Sequence, residues 1–312
     1  MLRRGALGIL TRGVPDLVRR VRVRIATTYW GLQLPPAARR STARRSERPN
    51  PQGRHMNNVI SLDFDFWFEM PEFENLDWAF GEAPIFLDMI WAIRASNAIA
   101  VGKDLRKICR IPDDEPRPRE FANLLKEHKL RTGRTKVAIS ESHLLAYKWF
   151  NDLDDLHIIH IDAHHDLGGY RGGDDKIDCG NWLKFLVDEG KVSKLTIIYP
   201  KWRQRQLDEW KSGGDEIREG IKIPLDVHYG LEHLPHNLTI KKILLARSGA
   251  WVPPWLDRDF MSLALSLNPS MMYGWDDLMS VVRVLDWPAI EKSGNEMRVM
   301  MEKSGIKSLC AM

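Results

Sequence analysis

The chain has 312 residues, of which 44% are hydrophobic and 28% are charged, and its formal net charge is +4. It contains no run of roughly 18 apolar residues, the minimum for a membrane-spanning helix. The three scattered cysteines, Cys109, Cys179 and Cys310, exclude a disulfide framework and a CxxC zinc site. We therefore expect a cytoplasmic protein with no membrane partner.

The positive charge is confined to residues 1–55. This segment holds thirteen arginines and no lysine against two acids, and the remaining chain has 33 basic and 40 acidic residues. Because the body is mildly acidic, we expect no nucleic-acid partner. The segment has no sustained apolar period and resembles a disordered leader, either a cleaved transit peptide or the product of an upstream start codon. Met56 lies three residues before an apolar strand, which favours the second interpretation.

From Met56 onward, apolar runs alternate with segments of helical period. In chain order they predict a strand at Val59–Phe68, helices at Pro84–Ser96 and Phe121–Lys129, a strand at Lys136–Ile139, a helix at His143–Leu153, a strand at His157–Asp162, a helix at Asn181–Glu189, a strand at Leu195–Tyr199, a helix that reaches Trp210, strands at Ile221–His228 and Lys242–Arg247, a helix opened by Pro253 and Pro254, and a helical tail from Ala289. Strands that alternate with helices form a mainly parallel sheet covered on both faces. We therefore predict one three-layer α/β/α domain over residues 56–312.

The most informative segment is His157–Asp166, which reads HIIHIDAHHD. Side chains alternate along a strand, so Asp162 and His164 point the same way at its end, and Asp166 follows in the loop. Ionisable groups at the end of an Ile-rich strand need partners, since a buried charge without one is unfavourable. This combination is typical of a divalent metal held by mixed nitrogen and oxygen ligands. A solvated strand edge explains it poorly.

A second pair of acids, Asp63 and Asp65, alternates in the same way on the first predicted strand, and His143 follows another strand. Ligands of parallel sheets bind beyond the carboxyl ends of the strands, where all these residues fall. With Asp166, they would supply an oxygen-rich set that fits a pair of Mn²⁺ ions better than a structural zinc. Zinc or iron is the alternative. Two adjacent ions could lower the pKa of a shared water.

Three motifs resemble the arginase (ureohydrolase) superfamily. IDAHHDL is similar to its DAHxD metal motif, ISESHLLAY to its segment with a single histidine ligand, and SLDFDFW to its S-x-D-x-D strand. The resemblance implies an arginase/deacetylase-like fold and hydrolysis of guanidino C–N bonds. It also implies that Asp63 and Asp162 bridge two metal ions. His143 and Asp166 would complete the ligands of one ion, and His164 and Asp65 would complete those of the other.

The chain is more similar to a divergent arginase-like branch that includes the peptide arginases, which convert arginine side chains of ribosomally made peptides to ornithine and urea. Three further segments carry this likeness: Asn181–Trp182–Leu183, the strand segment IIYPKW and Ala246–Arg247–Ser248. The resemblance covers roughly Val59 to Asp257. It implies peptidyl arginine as the substrate, with free arginine or agmatine as the alternative.

The chain departs from ordinary arginases in two places. Its D-x-D strand precedes the DAHxD strand instead of following it, and a site whose two strands were not neighbours would hold a single metal. The histidine that serves ordinary arginases as a proton shuttle is missing from the segment DCGNWL, where Asp178 or Cys179 could act instead.

Several acids are candidates for a catalytic role. Asp166 could assist proton transfer. A guanidinium substrate needs a carboxylate partner, and Glu141 is the nearest acid without a predicted role, although an acid that interacts with a helix dipole explains it equally well. Asp174, Asp175 and Asp178 in the glycine-rich loop are further candidates.

Two other functions stay open. Metal-dependent deacetylases share this fold, but they read HHGDG and have a separate histidine pair, whereas this chain reads HHDLG and has none. A non-catalytic metal-binding protein is the second, although all six ligand positions hold competent residues. We expect His157 and His160 to be structural, and His165 to face away from the site. Trp251 and Trp255 would pack in the core or line a groove for a peptide.

Overall fold

The computed structural model describes residues 56–69, 87–168, 176–210, 221–273 and 282–305. All of them belong to one compact unit, Arg54–Met312. The leader predicted over residues 1–55 lies outside the described residues. None of the helices in the described segments combines the length and the apolar character that crossing a membrane requires.

The middle layer of the fold is a seven-stranded sheet with the strand order β5-β4-β3-β1-β6-β2-β7. All of its pairings are parallel. In chain order the strands are β1 (Asn57–Asp63), β2 (Lys136–Ser140), β3 (Leu156–Ile161), β4 (Val192–Tyr199), β5 (Leu225–Tyr229), β6 (Ile240–Ala246) and β7 (Met271–Tyr273). The predicted α/β class with a parallel sheet is confirmed.

Eight α-helices lie in the described part of the chain. They are α1 (Leu87–Ala100), α2 (Leu105–Ile108), α3 (Phe121–Glu127), α4 (Leu145–Phe150), α5 (Trp182–Asp188), α6 (Lys201–Trp210), α7 (Asp257–Ser266) and α8 (Trp287–Ser304). Four short 3₁₀ helices are Phe64–Trp67, Pro118–Glu120, Leu231–His233 and Pro254–Leu256. Because parallel strands must be joined by crossover connections, helices separate most of the strands along the chain.

Two hydrophobic clusters cover the two faces of the sheet. Successive strand side chains point to opposite faces, so Ile60 of β1 belongs to one cluster and its neighbour Val59 to the other. Aromatic side chains of α1, α3 and α7 pack in the first cluster, and those of α4 and α5 pack in the second. Helices therefore lie on both faces, which confirms the three-layer arrangement. Burial of these two faces is the main force that holds the layers together.

Several predicted bounds differ from the structure, and two of the differences lie next to the site and have local reasons. The strand predicted to reach Phe68 ends at Asp63, because the Asp63 carboxylate accepts a hydrogen bond from the backbone N–H of Asp65 (3.0 Å) and caps a 3₁₀ turn. The helix predicted to begin at His143 begins at Leu145. Both differences place ligand-type side chains in turns just beyond the sheet. The three-residue strand β7 was not predicted.

Candidate metal centre

The strand order brings the predicted ligands to one edge of the sheet. β1 lies between β3 and β6, and β2 lies next to β6. Because all four strands run in the same direction, their carboxyl ends meet. β1 brings Asp63 and Asp65, β3 leads into Asp162, and the turn after β2 carries His143. A shared site requires the strand of the D-x-D motif, β1, to lie next to the strand of the DAHxD motif, β3. The two strands are direct neighbours in the sheet.

Three carboxylates surround one imidazole nitrogen. Nδ1 of His143 lies 2.9 Å from Asp162 Oδ2, 3.0 Å from Asp166 Oδ2 and 3.1 Å from Asp63 Oδ2. On the other side of the ring, Nε2 is hydrogen-bonded to the hydroxyl of Ser61 (2.6 Å), which lies on β1. A neutral imidazole that donates from Nε2 to Ser61 directs the lone pair of Nδ1 toward the three carboxylates, as a metal ligand requires.

A second group of ligand atoms adjoins the first. Nδ1 of His164 lies 3.0 Å from Asp65 Oδ2 and 3.5 Å from Asp162 Oδ1. Backbone N–H groups hold both carboxylates: that of Ala163 donates to Asp65 Oδ1 (3.3 Å) and that of His164 to Asp162 Oδ1 (2.7 Å). Asp162 therefore belongs to both groups, with Oδ2 toward His143 and Oδ1 toward His164.

Several buried polar atoms of this cluster have no hydrogen-bond partner. They are Nδ1 of His143, Nδ1 of His160, Oδ2 of Asp65 and Oδ2 of Asp162. Buried polar atoms in folded proteins are nearly always hydrogen-bonded, and a buried charge without a partner is strongly unfavourable. Cations between the carboxylates and the imidazoles would satisfy three of these atoms, Nδ1 of His143 and Oδ2 of Asp65 and of Asp162. The buried cluster of His143, His160, Asp162 and Asp166 could thus hold a metal ion, and Asp65, Asp162 and His164 form a second such group.

The pKa shifts show how strongly the cluster favours a positive charge. Burial and the charges of Asp65, Asp166 and Asp63 raise the pKa of Asp162 well above its usual value. Burial lowers the pKa of His143, but the surrounding carboxylates outweigh this effect and raise it. Burial also opposes ionisation of Asp166, yet the charge of His143 and its neighbours lowers that pKa to about 2. A divalent cation would relieve the repulsion between these carboxylates.

Asp166 is held in a strained position by the motif that follows the metal motif. Its φ of 51° lies in the left-handed region, which is unfavourable for a residue other than glycine. The indole Nε1 of Trp182 donates to Asp166 Oδ2 (2.6 Å), and the N–H of Leu183 donates to the carbonyl of Asp166 (3.1 Å). Asn181 is buried and binds the backbone of Lys176 and Asp178. The Asn-Trp-Leu segment therefore orients a ligand carboxylate.

Ser248 is a further residue of this site, to which the sequence analysis gave no role. Its hydroxyl donates a short hydrogen bond to Asp63 Oδ2, and its N–H donates to the carbonyl of Glu141 (2.9 Å). Its φ of 50° is also left-handed. The Ala246–Arg247–Ser248 motif was noted without a role for the serine. Its position just beyond β6, the neighbour of β1, was the available signal.

His160, predicted to be structural, lies beside the cluster, and its Nε2 is hydrogen-bonded to the backbone carbonyl of His164 (3.1 Å). Its Nε2 lies 3.5 Å from Asp162 Oδ2 and 3.9 Å from Asp166 Oδ2, and its ring stacks on that of His143 with centroids 5.4 Å apart. Burial lowers the pKa of His160 to about 3, so the ring is neutral. His160 lies two residues before Asp162 on the same face of β3, and this spacing was the signal. His157, by contrast, bonds to Thr196 and Asn58.

Glu141 has a partner within the protein. Its carboxylate forms a buried ion pair with Arg247 through Nε (3.2 Å) and through a short contact to Nη2, and it accepts a hydrogen bond from the N–H of Gly249 (3.0 Å). Arg247 lies 3.4 Å from Asp257, which also binds Arg283. A role for Glu141 as the receptor of a substrate guanidinium would require this pair to open.

The other residues considered in the sequence analysis lie away from the ligand atoms or outside the residues that the structure describes. Asp178 is exposed, and its Oδ1 accepts a hydrogen bond from the N–H of Gly180 (2.9 Å) in a local turn. Asp174 and Asp175 lie outside the described residues. Nδ1 of His165 accepts from the N–H of Leu167 (3.0 Å), and burial lowers the pKa of His165 to about 4. No described contact joins Asp178 to the cluster.

Comparison of the chain with protein-family models, curated proteins and solved structures found no match.

Proposed function

We propose that this protein is a metal-dependent hydrolase of guanidino C–N bonds, with arginine side chains of peptides as substrates and ornithine and urea as products. A small guanidino compound, such as arginine or agmatine, is the alternative substrate. The sharing of Asp162 carries the proposal, because its two oxygens belong to two adjacent groups of ligand atoms around His143 and His164. Two-metal hydrolases depend on adjacent sites of this kind.

The donor set supports manganese as the metal. Carboxylate oxygens suit Mn²⁺, and zinc sites of structural type use thiolates and imidazoles instead. The ligands would divide into two sets that share Asp162: Asp63, His143 and Asp166 for one ion, and Asp65 and His164 for the other. Ions bound there would lower the pKa of a shared water and so supply a nucleophile at neutral pH.

The residues around the ligands would orient this chemistry. Trp182 fixes Asp166, whose lowered pKa keeps its carboxylate ionised at neutral pH. Asp166 would therefore accept a hydrogen bond from the attacking water or from the substrate guanidinium. Ser248 fixes Asp63 in a comparable way. Such outer hydrogen bonds orient metal ligands and tune their basicity.

The proposal is tested by urea release from metal-loaded protein expressed from Met56. The substrates are a peptide with one arginine, free arginine and agmatine. We expect urea and ornithine from the peptide in the wild type, and none from Asp162→Asn. Asp188→Asn, which changes an exposed carboxylate of α5, is the matched control and should keep wild-type activity.

Three outcomes separate the alternatives. Urea from the peptide alone supports a peptide arginase, and urea from arginine or agmatine alone supports the small-molecule enzyme. Absence of urea from all three compounds contradicts the proposal. An amide substrate, such as an acetyl-lysine peptide, would then test the deacetylase alternative.

A further inference from the structure

One of the six predicted ligands, all of which lie in the described part of the chain, has an accessible side chain. Asp63, Asp65, His143, Asp162 and Asp166 are each at most 3% exposed. The side chain of His164 is 33% exposed. Among these ligands, His164 is therefore the one whose side chain a substrate can contact from solvent.

Trp251 lies beside the accessible His164 side chain. Its ring centroid lies 5.6 Å from that of His164, and the two rings are tilted by 56°. Trp251 is half-buried and packs against Leu87, Ile90 and Ala250. The indole is thus supported from beneath by apolar side chains and keeps part of its surface toward solvent.

The backbone ties Trp251 to the metal cluster. The N–H of Trp251 donates to the carbonyl of Ser248 (2.7 Å), and the hydroxyl of Ser248 binds Asp63. Between them, Gly249 passes so close to Glu141 that an added Cβ would lie 2.2 Å from Oε1. A side chain at position 249 would therefore force the Glu141 carboxylate to shift. The indole is therefore placed relative to the metal ligands by a tight, specified turn.

Trp255, the other tryptophan after β6, has a different role. Its Nε1 donates to the carbonyl of Cys109 (2.9 Å), and its ring contacts those of Trp91 and Trp287. It belongs to the packing around α1 and α8. Trp251 is the one of the pair that borders the cluster.

We propose that Trp251 is a specificity-determining residue that stacks on the planar cation of the substrate at the entrance to the metal centre. This inference rests on the proposed guanidino hydrolase function. A guanidinium is planar, weakly hydrated and attracted to the face of an indole. Glu141, the acid considered for this role, is paired with Arg247, so we assign the recognition of the substrate cation to the indole beside His164.

The test uses the full chain loaded with Mn²⁺ and three variants at position 251. Trp251→Phe keeps an aromatic face, and Trp251→Leu keeps an apolar side chain without one. A fluorinated tryptophan at position 251 keeps the shape of the indole but withdraws negative charge from its face, so it provides a variant that folds even if leucine does not. Binding is measured by fluorescence anisotropy with two labelled peptides. One carries an amidine side chain, a planar cation that cannot release urea, and the other carries neutral citrulline.

We expect Trp251→Leu and the fluorinated variant to bind the amidine peptide about 3- to 30-fold more weakly than the wild type, and Trp251→Phe to stay within about 3-fold. Binding of the citrulline peptide should be unchanged. Equal binding of the amidine peptide by the wild type and both weakened variants, or an equal loss for both peptides, would overturn the inference. Urea release by the wild type is measured separately, so a failure of the proposed function is distinguished from a failure of cation recognition.

Discussion

The indole Nε1 of Trp182 donates its hydrogen bond to the same oxygen of Asp166 that lies 3.0 Å from Nδ1 of His143. The hydrogen bond is 2.6 Å long, and both side chains are buried. The residue that opens α5 therefore controls the position of a ligand atom on the loop after β3. Without this donor, the carboxylate would be free to rotate in a backbone conformation that is already strained.

Replacement of Trp182 by Phe should weaken metal binding by about 10- to 100-fold, because hydrogen bonds to a ligand orient it. Affinity is measured by titration of Mn²⁺ against a competing chelator. Trp149→Phe is the matched control, since it also removes a buried indole hydrogen bond, to the carbonyl of Ile243 (3.1 Å), away from the ligands. Equal losses of affinity in the two variants would contradict the assigned role of Trp182.

Metal should stabilise the folded chain through the carboxylate cluster. At a Mn²⁺ concentration of about 100 times the dissociation constant, linkage predicts roughly 2.7 kcal/mol of added stability for one site. Asp162→Asn should abolish this gain, because Asp162 contacts both groups of ligand atoms. Chemical unfolding with and without Mn²⁺ measures the effect. A gain that persists in Asp162→Asn would show that manganese binds elsewhere.

Breaking the buried ion pair of Glu141 and Arg247 should be strongly destabilising. Glu141→Gln removes the carboxylate that pairs most closely with the buried Arg247 and leaves this guanidinium only its 3.4 Å contact with Asp257, so we expect a loss of up to about 3 kcal/mol in the free energy of unfolding. The double variant Glu141→Leu with Arg247→Met should lose less than the sum of the two single changes, since neither charge is then left alone. Denaturant unfolding of the wild type, Glu141→Leu, Arg247→Met and the double variant completes the cycle. Additive losses would indicate that the pair contributes no coupling.

The stability of the fold should also depend on Glu115. Burial raises the pKa of Glu115 to about 7, although the backbone N–H of Lys201 donates a hydrogen bond to its carboxylate. Because the folded-state pKa lies above the unfolded value of 4.5, this group contributes stability below pH 4.5 that is lost as the pH rises through about 7. Glu115→Gln stays neutral at every pH. Its free energy of unfolding should therefore rise by about 2 kcal/mol relative to that of the wild type as the pH increases from 4.5 to 8.

The measurement for Glu115 is denaturant unfolding of both proteins at several pH values. The comparison between variants removes contributions from the metal ligands, which both proteins share. A stability difference that does not change with pH would contradict the shifted pKa.

The sequence predicted which segments form strands better than it predicted which strands lie side by side in the sheet. Short apolar runs identified six of the strands, because the pattern of one buried strand is local. It carried no information on strand order, and the insertion of β1 between β3 and β6 depends on packing between distant segments. The spacing of two residues placed Asp162 with His164. The same spacing also linked His160 to Asp162, but the distance of His160 from the strand end was given more weight.

Partners of the candidate residues were the least predictable part of the site. Nothing in the local sequence around Glu141 shows that Arg247, which follows β6 more than a hundred residues later, would bind it. The tryptophan of the Asn-Trp-Leu segment was identified by resemblance, and only the structure shows its hydrogen bond to Asp166. Contacts between loops depend on the assembled sheet, so a single sequence does not reveal them.

The number of metal ions per chain tests the central claim most directly. Elemental analysis of the wild type, Asp65→Asn and Asp162→Asn after equilibration with Mn²⁺ provides it. If Asp162 joins two adjacent sites, the wild type should hold about two ions, Asp65→Asn about one, and Asp162→Asn essentially none. A wild type that holds about one ion, unaffected by Asp65→Asn, would contradict a two-metal centre.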